Sequence, residues 1–319
     1  MSLPFLQPYF GLSNSLQTAQ GGAAPVVSPT RGVFGGGVIT VVQNIIDYIT
    51  IATTGNATDF GDLTVSRVSI GACNSSTRGI CAAGDTNTVG SNVIDYITIA
   101  TTGNATDFGD VTITRSGLAG VNSDTRGCFG GGYDSGYTNV MDYITIATTG
   151  NATDFGDLTI SRYDSAGVNS STRGCFCGGE AGGGGVGIYT RNMIDYITIA
   201  TTGNATDFGD LSLPRYTQSG LNSSTRGVIG GGYNAGNVNE IDYITIATTG
   251  NATDFGDLTA SRQSPTGVNS DTRGCFGGGY TSSSVDIIDY ITIATTGNAI
   301  DFGDLSVARY DCAGVQNGL

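Results

Sequence analysis

Histidine, lysine and tryptophan are absent from this chain of 319 residues, and glutamate occurs only twice. Without histidine, the chain cannot supply a histidine-based catalytic triad or a copper site with imidazole ligands. Two glutamates and no tryptophan also argue against a sialidase-like site. We therefore expect no catalytic residues, no enzymatic activity and no cofactor.

The charge of the chain is strongly one-sided. All thirteen basic residues are arginine, and the formal net charge is −14 at pH 7. A chain of this charge without a basic patch repels phosphate backbones, so we expect no nucleic-acid partner. No apolar run reaches the roughly 18 residues that a membrane helix needs, and the N-terminus lacks the basic start of a signal peptide. We expect no membrane insertion, and any surface role would come through assembly into a particle or release by lysis.

One phrase, Asp-Tyr-Ile-Thr-Ile-Ala-Thr-Thr-Gly-Asn-Ala, occurs six times in the sequence. A second phrase, Thr-Arg-Gly, keeps the same period and is usually followed by a glycine run. A fixed period of this length is the signature of a repeat architecture. The first phrase begins at Asp47, Asp95, Asp142, Asp195, Asp242 and Asp289.

Each unit of about 47–53 residues reads as four short strands joined by turns. Such a sheet cannot bury both faces alone, but six of them stacked around an axis can. The last unit stops after a first strand, and the first unit lacks one. Residues 30–319 are therefore predicted to form an all-β, six-bladed β-propeller of four-stranded antiparallel blades. Residues 310–316 should join the first blade and close the ring.

Residues 1–29 do not share the repeat and read as an extended N-terminal arm with scattered aromatic side chains. The arm either packs along the body of its own chain or docks into a neighbouring subunit. In the second case, the residues expected to make the attachment are Phe5, Tyr9 and Phe10.

Three polar features of the repeat have structural interpretations. The seven cysteines are read as buried, reduced thiols, with a Cys73–Cys81 bridge as the alternative. The oxygen-rich stretch 56–62 could hold Ca²⁺ but matches no complete calcium loop, so turn hydrogen bonds are favoured and no metal is predicted. Paired Arg and Asp side chains, such as Arg67 and Asp62, are expected to form a structural belt.

Eight tyrosines fall in stretches that differ between units, among Gly, Ser, Asn and Asp. This mixture is typical of binding loops, although solvated loops with incidental tyrosines would look the same. Because strands in a blade alternate in direction, both variable stretches should emerge on one face and the nearly constant turns on the other. The residues expected to contact a target on the variable face are Tyr133, Tyr137, Tyr189, Arg191, Tyr233 and Tyr280.

The order of signals resembles the kelch repeat over about residues 30–319. The matching features are an arginine, a small-residue strand, hydrophobic residues ending in Gly-Gly, a tyrosine strand and an aromatic before leucine. Two departures are phenylalanine in place of the usual tryptophan and a longer spacing from tyrosine to phenylalanine. In one unit these features are Arg162, Ala166-Gly167-Val168, Cys175-Phe176-Cys177-Gly178-Gly179, Tyr196 and Phe208-Gly-Asp-Leu211.

The repeated phrase is also similar to repeats in virion-associated proteins of marine bacteriophages. That resemblance implies a tail, fibre or capsid-decorating protein, located on the extracellular particle and present in many copies or as a homo-oligomer. Its expected partners are other virion proteins and a host-surface glycan or protein. The alternative is a free-standing, lectin-like or scaffold binding propeller of a bacterium.

Overall fold

The computed structural model describes residues 30–87, 89–182 and 188–317. The predicted arm at 1–29, with Phe5, Tyr9 and Phe10, lies outside the described residues. The described chain forms 26 strands and no helix. No helix in this described part is therefore long and apolar enough to cross a membrane.

Twenty-four of the strands form six four-stranded antiparallel sheets, which are the blades of a propeller. From the axis outward, blade 1 contains β26 (Ala313–Gln316), β1 (Arg31–Gly35), β2 (Ile45–Thr50) and β3 (Thr58–Asp62). Blade 2 contains β4 (Gly71–Asn74), β5 (Arg78–Asp85), β6 (Gly90–Thr98) and β7 (Thr106–Asp110). Blade 3 contains β8 (Ala119–Asn122), β9 (Arg126–Gly130), β10 (Val140–Thr145) and β11 (Thr153–Asp157).

Blade 4 differs from the others by an extra two-stranded ribbon. It contains β12 (Ala166–Asn169), β13 (Arg173–Cys177), β16 (Met193–Thr198) and β17 (Thr206–Asp210), with the ribbon of β14 (Glu180–Gly182) and β15 (Ile188–Thr190) between β13 and β16. Blade 5 contains β18 (Ser219–Asn222), β19 (Arg226–Gly230), β20 (Glu240–Thr245) and β21 (Thr253–Asp257). Blade 6 contains β22 (Thr266–Asn269), β23 (Arg273–Gly277), β24 (Ile287–Thr292) and β25 (Ile300–Asp304).

The predicted propeller and its closure are confirmed. Strand β26 pairs with β1 in a register that runs from Gly32↔Gln316 to Gly35↔Ala313. The last strand of the chain therefore supplies the innermost strand of the first blade.

The hydrophobic core lies between the blades rather than within them. One cluster joins Val121, Cys128 and Phe155 of blade 3 to Phe176 and Ile197 of blade 4. Each side chain in this group is at most 3% exposed. Both sides of a blade are buried in this way, because every blade has two neighbours.

The predicted belt of Arg and Asp exists, but the pairing within a unit was wrong. Arg67 does not pair with Asp62; its Nη2 lies 2.6 Å from Oδ2 of Asp95 in the next blade. Both side chains are buried, so each joint between blades contains a fully desolvated ion pair. The other five pairs are Arg115–Asp142, Arg162–Asp195, Arg215–Asp242, Arg262–Asp289 and Arg309–Asp47.

The repeated Thr-Thr-Gly-Asn-Ala turn of each blade is hydrogen-bonded to the outer strand of the preceding blade. The Gly103 amide donates to the Phe60 carbonyl at 2.8 Å, and the Asp62 amide donates to Oδ1 of Asn104 at 3.1 Å. The same contacts recur at the last joint, where Gly55 donates to Phe302 at 2.9 Å. The oxygen-rich stretch that suggested calcium therefore uses its asparagine in a contact between blades.

The six tyrosines of the repeated phrase are structural. The guanidinium of Arg126 lies 4.4 Å from the centre of the Tyr143 ring, which meets Phe155 edge-on. Arg126 Nη1 also donates to the Ile199 carbonyl of the next blade at 3.0 Å. All seven cysteines are free thiols, and Cys312 alone is half-buried rather than buried, so Cys73 and Cys81 form no bridge.

Candidate target-binding face

The strand registers place both variable loops of a blade at the same end of the propeller. In blade 4, Ala166 pairs with Cys177 and Met193 pairs with Asp210, so the loops that follow Cys177 and Asp210 emerge together. We call this end the variable face. The repeated turns, such as the one after Asn169, lie at the opposite end, which we call the uniform face.

On the variable face, two positions of each blade are brought side by side by an isolated β-bridge. One position directly follows the buried arginine, and the other directly follows the Gly-Gly pair, or Ala83-Gly84 in blade 2. Their side chains therefore form two rings around the axis. The bridged pairs are Val68 with Asp85, Ser116 with Tyr133, Tyr163 with Glu180, Tyr216 with Tyr233, Gln263 with Tyr280 and Tyr310 with Val38.

The largest tyrosine cluster spans blades 3 and 4. The ring of Tyr137 lies 5.5 Å from those of Tyr133 and Tyr163, measured between centroids. Glu180, only 3% exposed, accepts hydrogen bonds from the hydroxyls of Tyr137 and Tyr163. The bond to Glu180, aided by partial burial, raises the pKa of Tyr137 to about 12, because an ionised phenol could not donate it. A buried carboxylate thus fixes two of the three rings.

Two smaller tyrosine pairs continue this surface around the axis. Tyr216 and Tyr233 of blade 5 have ring centroids 5.6 Å apart. Tyr280 of blade 6 lies 5.2 Å from Tyr310, at the joint with blade 1. The three groups follow one another over blades 3, 4, 5, 6 and 1, and we call them the tyrosine arc. Its members are Tyr133, Tyr137, Tyr163, Tyr216, Tyr233, Tyr280 and Tyr310.

Of the six residues predicted to bind a target, Tyr133, Tyr137, Tyr233 and Tyr280 lie on the tyrosine arc. Tyr133 is the most open of them, with 44% of its surface exposed. The backbone of Tyr189 lies in ribbon strand β15. Arg191 follows that ribbon and is half-buried, with its amide donating to the Gly179 carbonyl at 2.8 Å.

Three further tyrosines of this surface were expected on the variable face but were not among the six predicted contacts: Tyr163, Tyr216 and Tyr310. Glu180 was missed from the sequence. The three tyrosines each follow a buried arginine directly, as in Arg162-Tyr163, and this shared position was the available signal. Glu180 carried no signal, because its role depends on the ribbon that brings blade 4 beside Tyr137. Gly182 lies so close to the Tyr137 ring that an added Cβ would be 2.8 Å from Cδ2.

The remainder of the variable face, over blades 1 and 2, has a different character. Val41 and Val89 are 57% and 66% exposed, and the bridged positions there carry Val38, Val68 and Asp85. The variable face is therefore asymmetric, with aromatic groups on one side and aliphatic groups on the other.

A narrow channel along the axis is constricted at the variable face by a closed ring of backbone hydrogen bonds. Each of six residues, one from each crossover, donates its amide to the carbonyl of the corresponding residue in the preceding crossover, at 2.7–3.3 Å. All six have φ between 53° and 64°. They are Ser69, Gly117, Asp164, Thr217, Ser264 and Asp311.

Asp164 and Asp311 occupy opposite positions of this ring and line the channel. Burial raises the pKa of Asp311 to about 6, with a partial offset from its hydrogen bond to Ser264. Burial, together with the charges of Asp311 and Glu180, also raises the pKa of Asp164. Within the described residues, no group of three or more Asp, Glu or Cys side chains is arranged to hold a metal ion.

The channel opens at the uniform face into a cavity of about 170 Å³ lined by Asn, Ser and Asp side chains. Both ends of the described chain meet at this face, where the Arg31 amide donates to Oδ1 of Asn317 at 2.7 Å. The described chain therefore begins on the face opposite the tyrosine arc.

No model of a known protein family matches the chain, and no curated protein sequence is significantly similar to it.

Proposed function

We propose that the protein is a non-enzymatic structural or adhesion propeller of a phage-like virion, as a tail, fibre or capsid-decorating component. The observation that carries the binding part of this proposal is the tyrosine arc. Seven tyrosines from five blades lie on one face, and three sets of them are in ring contact. Tyrosine gives a large amphipathic contact at small entropic cost, and a rigid scaffold commonly presents such loops for binding.

Attachment to the particle is assigned to the uniform face and the N-terminal arm. The chain enters the propeller on that face, next to Asn317, so an anchored arm would leave the tyrosine arc pointing outward. The resemblance of the repeats to virion-associated proteins supports attachment to a particle. The partners would then be other virion proteins, further copies of this chain and a host-surface target.

A free-standing, lectin-like or scaffold propeller of a bacterium would use the same tyrosine arc but no particle. Sedimentation of lysate from the producing culture on a density gradient distinguishes the two functions. Co-sedimentation of the protein with intact particles, detected by mass spectrometry, is the expected result. Recovery only in the soluble fraction would establish the free-standing alternative.

The binding face is tested by replacing Tyr133, Tyr137, Tyr189 and Tyr233 together with Ser. We expect this variant to assemble normally and to lose adsorption to the host surface. A matched control replaces four exposed threonines of the uniform face with Ser: Thr54, Thr102, Thr149 and Thr249. Normal adsorption of the tyrosine variant combined with failed assembly would mean that the faces have the opposite roles. We also expect no turnover of sugar, phosphate or peptide substrates.

A further inference from the structure

We infer that the target of the tyrosine arc is a saccharide chain that carries no acidic groups. This inference rests on the proposed binding role and names the chemistry of its ligand. It follows from three features of the variable face: the form of the tyrosine clusters, the charge around them and the position of the exposed aliphatic groups.

The first feature is that the tyrosine arc repeats one kind of platform. Tyr133 with Tyr163, Tyr216 with Tyr233 and Tyr280 with Tyr310 are each held at ring distances of 5.2–5.9 Å. A pyranose ring has an apolar C–H face and a hydroxyl edge, and tyrosine likewise has an apolar body and a polar tip. Successive similar platforms suit a ligand made of successive similar units.

The second feature is the excess of carboxylates beside the tyrosines. Six acidic side chains lie at the bridged positions or in the described loops of this face, although Glu180 is buried. They stand against one arginine outside the buried ion pairs, Arg191. A carboxylate accepts hydrogen bonds from sugar hydroxyls or amines but repels another carboxylate or a phosphate. The six are Asp85, Asp134, Asp164, Glu180, Asp286 and Asp311.

The arginines directly beneath the tyrosine arc are not available to recognise an anion. Arg115, Arg162 and Arg215 lie beneath the tyrosine arc, but all three are fully buried and paired with aspartates. The other arginines in the strands, such as Arg126, lie at the uniform end, stacked on tyrosine. An acidic ligand would therefore meet more carboxylates than arginines on this face.

The third feature separates a saccharide from a protein target. The core of a protein interface is depleted in charged residues, whereas here Asp134 lies between Tyr133 and Tyr137 in the chain. The most exposed aliphatic groups of the variable face, Val41 and Val89, lie over blades 1 and 2, away from the largest tyrosine cluster. The tyrosine arc thus combines aromatic faces with hydrogen-bond acceptors.

The test is binding of the whole protein at pH 8 to an array of neutral, amine-bearing and acidic oligosaccharides, at low and at physiological salt. Neutral or amine-bearing saccharides should bind, and replacement of Tyr133, Tyr163 and Tyr216 with Ser should weaken binding about tenfold or more. Preferred binding of acidic saccharides would overturn the inference. Adsorption to cells that still depends on the tyrosines, with no saccharide bound, would also overturn it and would point to a protein target.

A charge swap tests the repulsion directly. Replacing Asp85, Asp134 and Asp286 with Asn should allow measurable binding of uronic-acid oligosaccharides at low salt, where charges act over about 30 Å. The control replaces three exposed aspartates of the outer strands, Asp59, Asp107 and Asp154, and changes the net charge equally. Equal gains in both variants would contradict a local effect. If instead the tyrosine variants leave adsorption to cells unchanged, the binding role itself fails, and not only the class of ligand.

Discussion

Arg309, in the last crossover of the chain, lies 3.1 Å from the carboxylate of Asp47 in the first blade, measured from Nη2 to Oδ2. Both side chains are completely buried, and the same Nη2 donates to the Phe34 carbonyl. The joint made by the two ends of the chain thus has the same ion pair as the joints made by consecutive units. Ring closure explains this, because every blade then has the same two neighbours.

Breaking one of these ion pairs should be costly. In an Arg162→Met variant, Asp195 is left as an uncompensated buried charge, so we expect a loss of about 3–5 kcal/mol in the free energy of unfolding. The variant Arg162→Met with Asp195→Leu should recover most of that loss. Urea denaturation monitored by circular dichroism measures both, with Asp154→Asn as an exposed control. A single variant as stable as the parent would show that the pair is dispensable.

Ring closure predicts that a chain ending at residue 309 is sharply destabilised. It loses strand β26 and exposes the inner side of β1, and burial of Val315 alone contributes about 1.5–3 kcal/mol. A chain ending at residue 317 retains the pairing and serves as the control. The melting temperature of the chain ending at residue 309 should be lower than that of the control. Equal melting temperatures would contradict closure by this strand.

The glycine of each Thr-Arg-Gly phrase is required by the packing between blades. A Cβ added at Gly174 would lie 2.5 Å from Cγ2 of Val121 in the preceding blade. We expect Gly174→Ala to cost about 1–3 kcal/mol by overpacking. Adding Val121→Ala should relieve the overlap, so the double variant should lose less than the sum of the single losses in urea denaturation. Gly136→Ala, where a Cβ meets nothing within 4 Å, is the control.

Asp311 should make stability depend on pH. Its pKa in the folded chain is about 6, above the usual value of 3.8, so the folded state binds the proton more tightly. Its contribution to stability is therefore lost as pH rises from about 4 through 6. Asp311→Asn should gain stability relative to the parent at pH 7 and not at pH 4, in urea denaturation at both values. The exposed Asp59→Asn control should show no such change, and an equal difference at both pH values for Asp311→Asn would contradict the assignment.

The propeller architecture could be predicted from the sequence because the repeat gives the number of blades and the strands in each. Each repeat forms a sheet that cannot bury both of its faces alone, and the chain contains six such repeats. The first strand of the first repeat stands at the end of the chain. Together these features require a closed ring of blades. The arginine and aspartate that pair across each joint between blades could not be predicted in the same way. Arg67 is nearer in sequence to Asp62 than to Asp95, and only the position of the next blade shows which carboxylate it meets.

The variable face was likewise predictable in part. Strand alternation places the variable loops together, and the tyrosine content marks them. The contact between the Tyr133 and Tyr163 rings depends on how neighbouring blades are placed. The distance between these two rings could not be predicted from the sequence. The role of Glu180 could not be predicted for the same reason, since its two hydrogen-bond donors come from different blades.

Glu180 gives the most direct test of how the largest tyrosine cluster is held. Its hydrogen bond from Tyr137 is the main cause that raises the pKa of that phenol to about 12. In Glu180→Gln the neutral amide no longer opposes ionisation, so the pKa of Tyr137 should fall towards 10. Carbon NMR of tyrosines labelled at Cζ, titrated between pH 8 and pH 11, follows each phenol separately. Glu240→Gln, the only other glutamate replaced in the same way, should leave Tyr137 unchanged. An unaltered Tyr137 titration in Glu180→Gln would mean that the carboxylate does not set the cluster, whereas a fall in pKa with weaker target binding would identify Glu180 as the residue that positions these rings.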